Sequence, residues 1–84
     1  SKQLEHVIQE RMTVQAGKDD RAYTPIAVED VEGVTAQVIT PIICEGDAIG
    51  AVVLMSREPR MKFGEGELRL AATASGFLGR QMES

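Results

Sequence analysis

A chain of 84 residues with a net charge of −4, 43% apolar and 26% charged, is one small domain, and a domain of that size buries only about 60% of the surface its unfolded chain exposes. The acidic balance excludes the basic patch that nucleic-acid binding requires, and no run approaches the ~20 apolar residues of a membrane-spanning helix. The first residues do not read as a signal segment, and the single cysteine, Cys44, rules out an internal disulfide and fits a reducing cytoplasm.

From Lys2 to Gln15, the apolar residues Leu4, Val7, Ile8 and Met12 recur at helical spacing, which predicts a helix with Glu5, Gln9 and Glu10 in water. Gly17 is expected to end it in the left-handed conformation that other residues resist. The run AYTPIAV (22–28) reads as a short strand, held to an edge or irregular position because Pro25 has no backbone donor. EDVEG (29–33) reads as an acidic loop.

VTAQVITPIIC (34–44) is rich in β-branched residues and predicts a strand. EGD (45–47) then turns the chain, with Gly46 supplying a positive φ and Asp47 tolerating similar geometry. The returning strand AIGAVVLMS (48–56) puts Ile49, Ala51, Val53 and Met55 on one face and Gly50, Val52 and Leu54 on the other. Both faces are apolar, so the strand is expected to lie centrally, covered on both sides. Gly50 is expected to mark a close backbone approach, making Gly50→Val destabilising.

REPRMKFGEGE (57–67) reads as a linker that closes in a helix start. Gly64 stands as N-cap, Phe63 and Leu68 form a hydrophobic staple, and Glu65 and Glu67 complement the helix dipole. The helix from Glu65 to about Met82 carries Leu68, Ala71, Ala72, Ser75, Leu78, Gly79 and Met82 on one broad stripe, with Leu70, Ala74 and Phe77 beside it. The small residues Ala72, Gly76, Ser75 and Gly79 recur four apart on this helix.

Catalytic chemistry has little to build on. His6 is the only histidine and lies beside the apolar stripe of its helix, which suits a boundary position better than a triad. Cys44 sits next to Glu45, a neighbour that raises a thiol pKa, and is expected to be a small buried hydrophobe. The pair Asp19 and Asp20 and the group Glu29, Asp30 and Glu32 lack the spacing of a calcium loop. GEGELR (64–69) lacks the third glycine of a phosphate loop and sets carboxylates where phosphate would sit. No enzyme, metal or cofactor is expected.

The segments PIICEGDAIGAVVLMS (41–56) and AATASGFLGRQME (71–83) carry a resemblance. The first is similar to the central hairpin of GAF domains. Together with the second, it strongly resembles the C-terminal end of the stage V sporulation protein T family, transcription regulators of endospore-forming bacteria. The resemblance implies an α+β fold, α-β-β-β-α, with an antiparallel sheet of about three strands between an N-terminal and a C-terminal helix. It implies a single GAF-like regulatory domain over 1–84, truncated at its N-terminal side. The AbrB-type DNA-binding domain, absent here, would bind DNA in the parent protein. It further implies that the strand 48–56 lacks its outer partner, leaving an open edge for a second chain.

The expected function is therefore a cytoplasmic regulatory and oligomerisation module of a sporulation regulator, responsive to a small molecule in one version of the reading. Ile49, Ala51 and Val53 on the strand, and Ala72, Ser75, Gly76, Phe77 and Gly79 on the last helix, are the candidate interface between copies. The alternative is a small-molecule-sensing GAF receptor with a retained pocket, for which Thr24, Gln37 and Thr40 are the candidate polar groups.

Overall fold

A computed structural model describes residues 2–25, 33–58 and 63–83. Helix α1 (Lys2–Gln9), strands β1 (Val14–Gly17), β2 (Ala36–Cys44) and β3 (Asp47–Ser56), and helix α2 (Glu65–Gln81) follow one another along the chain. The three strands form one antiparallel sheet in the order β1-β2-β3. The α-β-β-β-α fold expected from the resemblance is the fold observed.

Alternation along β2 assigns its two faces. Ile39 packs with Val7 of α1 and with Val14 and Ala16 of β1, while Ala36 and Val38 pack with Phe63 and Ala71 on the α2 side. The sheet is thus a layer between two helices, and β2 is buried along most of its length. At about 25 cal/mol per Å² of apolar surface, these two thin cores supply most of the drive to fold.

The strand that lies centrally is β2, not β3. The apolar alternation of β3 did mark cover on both faces, since Ala51 and Val53 lean on the α1 core and Val52 and Leu54 on the α2 core. Its outer edge nevertheless has no strand beside it among the described residues. Two-faced cover and a central place in the sheet are separate properties, and hydrophobic pattern reports only the first.

The first helix is shorter than its spacing predicts. Met12 donates its N–H to the carbonyl of Val7 at 3.0 Å and Arg11 to that of Ile8 at 3.0 Å, closing a Schellman motif. The left-handed residue is Arg11, with φ of 55°, rather than Gly17. Its guanidinium donates to the carbonyl of Gly46, an attachment that a glycine at this position could not make. The chain so released becomes β1, which Val14 and Ala16 bind to the core.

The predicted strand at 22–28 is not found in its described part. Ala22–Pro25 is irregular, and the rest, like positions 29–32 of the predicted loop and 59–62 of the linker, lies outside the described residues. Expected details of α2 are present: Gly64 is the N-cap, and Phe63 and Leu68 meet in the same core.

The β2–β3 turn is Glu45–Gly46 alone, both with positive φ (51° and 86°), and Asp47 already belongs to β3. This is the signature of a type I′ turn, whose first position favours asparagine. Replacing Glu45 with asparagine is therefore expected to raise stability by about 0.5–1 kcal/mol, a few degrees in Tm, readable by thermal melting. Gly50 is not a close approach. A Cβ there would meet only the Ile42 side chain at an ordinary 3.8 Å, so no backbone stands in the way of Gly50→Val.

Candidate functional site

The pieces of a catalytic centre do not converge among the described residues. His6 is exposed on α1, and no group of three or more His, Cys, Asp or Glu is placed to hold a metal ion. Partial desolvation, then the charges of Glu45, Glu83 and Asp47, push the Cys44 thiol above its ordinary pKa. Such a thiol stays protonated and is a poor nucleophile. Cys44 is half-buried rather than enclosed.

The three polar candidates lie inside. Gln37 is fully buried, and its amide serves the backbone of Thr24 twice: Oε1 accepts from the Thr24 N–H at 2.6 Å, and Nε2 donates to the Thr24 carbonyl at 2.9 Å. One side chain therefore does for segment 22–25 what a neighbouring strand would do, which is why that segment docks without becoming a strand. The Thr24 hydroxyl donates to the carbonyl of Ala22 at 3.1 Å. Thr40 projects to the opposite face, where its buried hydroxyl has no partner among the described residues. Thr24 and Gln37 are brought together, and Thr40 is not brought to them.

The candidate interface residues divide by the direction they face. Ser75 and Gly79 are buried, and a Cβ on Gly79 would overlap the carbonyl oxygen of Ile43, so both serve the packing of α2 on its own sheet. Ala51, Val53 and Gly76 are half-buried, whereas Ile49, Ala72 and Phe77 are exposed. Leu70, which sequence spacing placed only beside the stripe, is 60% exposed, and Phe77 is 54% exposed. Seven residues apart, the two share one side of α2. Among the described residues, the edge of β3 has no strand beside it and this side of α2 is exposed and apolar.

What these features define is a small α+β domain with exposed apolar surface on its last helix. Residues 1–83 match the family described as "Stage V sporulation protein T C-terminal, transcription factor", and the chain belongs to that family. It is also similar to stage V sporulation protein T of Bacillus subtilis (strain 168), at 46% identity over 52 residues. That alignment covers 62% of this chain and 28% of the relative. A transcription-factor domain agrees with a non-catalytic role, and no helix among the described residues is long and apolar enough to cross a membrane.

Proposed function

We propose that this chain is the regulatory and oligomerisation module of an AbrB-type sporulation transcription regulator, a GAF-like domain that joins copies of the parent protein. DNA is bound by another part of that protein, consistent with the acidic charge here. The observation that carries the reading is the ten-residue β3 with no strand on its outer side among the described residues. Such an edge presents unpaired N–H and C=O groups to a second chain. The exposed Leu70 and Phe77 add apolar area that assembly would remove from water.

Sensing stands second. A ligand shifts assembly only if it binds one arrangement better than another, and both ends of the Gln37 amide are already engaged by Thr24. The unpartnered hydroxyl of Thr40 is the one polar group of the three left to orient a small molecule.

Native mass spectrometry and light scattering test the reading together. The chain is expected to be a dimer or higher oligomer, with no bound small molecule. Phe77→Glu with Leu70→Glu is expected to weaken association by about 2 kcal/mol, some thirtyfold in Kd, with helical circular dichroism retained because both positions are exposed. A monomer at high concentration contradicts assembly, and a discrete extra mass on that monomer puts the sensing reading first.

A further inference from the structure

Hydrogen-bond direction along the sheet fixes which groups β3 turns outward. Lys18 donates its N–H to the carbonyl of Thr35 at 2.9 Å, in step with the Val14↔Ile39 register. Backbone groups reverse direction at every residue of an antiparallel ladder, so Thr35, Gln37 and Ile39 bond toward β1, and Ala36, Val38, Thr40 and Ile42 bond toward β3. Their partners on β3 are Ser56, Leu54, Val52 and Gly50. Ala51, Val53 and Met55 therefore aim their N–H and C=O groups away from β2, to the side where no strand lies among the described residues.

Of the usual devices against edge pairing, which are charge, proline and a bulge, only the last is present. Residues 48–56 hold no charged side chain and no proline. The bulge is Ile49, left without an opposite residue between Ile42↔Gly50 and Ile43↔Ala48. It ends the regular edge at Gly50, so the bulge-free stretch is 50–56, with Val53 at its midpoint.

We propose that, given assembly through the β3 edge as read above, two copies pair antiparallel about a two-fold axis at Val53, with Val53 opposite Val53 and Ala51 opposite Met55 of the other copy. The two three-stranded sheets become one, and the contact is isologous, closed by its own symmetry. Each of these opposed residues exchanges two hydrogen bonds with its counterpart. The small Ala51 sits opposite the long Met55, which is 46% exposed in a single copy, and Val52 sits opposite Leu54, so apolar groups meet along the stretch. A slip of two residues one way sets Ala51 opposite Arg57, and a slip the other way sets Met55 opposite the bulge at Ile49. An occupant with charged residues here would set them against an uncharged strand, whereas a second copy brings none.

Cross-linking and light scattering of the whole chain test this register. In a Cys44→Ser background, Val53→Cys is expected to be joined in high yield by a short bismaleimide, since opposed Cβ atoms lie about 5 Å apart. Met55→Cys, about 13 Å from its own counterpart in this register, is expected to link far less. Val53→Pro removes an N–H that β2 does not use, and is expected to raise the dimer Kd about thirtyfold with the fold retained. If that variant loses its circular dichroism signal, Met55→Lys, at an exposed position, is expected to raise Kd about tenfold. A dimer that links through Phe77→Cys and not through Val53→Cys, or faster through Met55→Cys than through Val53→Cys, keeps assembly and overturns the register. A dimer whose Kd neither substitution changes also overturns it, and a monomer at high concentration overturns both the register and the assembly reading.

Discussion

Gly79→Ala is expected to destabilise the domain by about 2–3 kcal/mol, a fall in Tm of roughly 10–20 °C. The new methyl would overlap the carbonyl oxygen of Ile43, which belongs to the central strand and cannot swing aside as a side chain would. Either α2 lifts off β2 or the β2 ladder bends, and both loosen the core of Ala36, Val38, Phe63 and Ala71. A domain of this length has only about 4–13 kcal/mol in total, so Gly79→Val should leave little folded protein. Gly76→Ala on the same helix is the internal control. Its Cβ would meet only the Arg80 guanidinium at an ordinary 3.6 Å, so alanine there should gain about 0.5–1 kcal/mol from lower backbone entropy and better helix propensity. Melts in which both variants rise would show that α2 does not sit on β2 in this way.

Gln37→Leu is expected to cost about 2–4 kcal/mol, since it leaves the buried N–H and C=O of Thr24 without partners while keeping the volume nearly filled. Gln37→Glu refines the test. Protonated, a glutamic acid can still accept from the Thr24 N–H and donate to the Thr24 carbonyl. Ionised, it is a buried charge facing that carbonyl with no proton to offer. Its folded pKa must therefore lie above the unfolded value of about 4.3. A raised folded pKa means stability that is complete below the unfolded value and is lost as pH rises through the folded one. Relative to the unsubstituted chain at each pH, the variant should be nearly as stable at pH 4 and fall steadily toward pH 7. A flat difference across that range would show that the Gln37 amide does not hold segment 22–25.

Much of the element order is legible in the residues. The β-branched run before Gly46 and the apolar run after it define the hairpin, and Phe63, Gly64 and Leu68 announce the start of α2 to the residue. These signals are local, so a one-dimensional reading suffices. The first helix was overextended because its left-handed terminus is an arginine, whose reason for being there, the carbonyl of Gly46, is 35 residues away in the chain. The short β1 is hidden for the same reason: Val14 continues the helical spacing of Val7, and only the pairing of Val14 with Ile39 and of Ala16 with Gln37 makes this segment a strand. Residue type alone marks the polar candidates, but alternation does not say that Gln37 faces Thr24 while Thr40 faces the other way.

By itself the sequence determined the α+β class, the hairpin, the cover on both faces of β3 and the family resemblance. Each follows from spacing, composition or short motifs that act over a few residues. The tertiary structure decided which strand is central, which glycine is pressed against a backbone, which side of α2 remains exposed, and that Arg11 reaches the β2–β3 turn. Those depend on contacts between residues distant in sequence, where the geometry of packing, rather than the identity of any one side chain, selects the outcome.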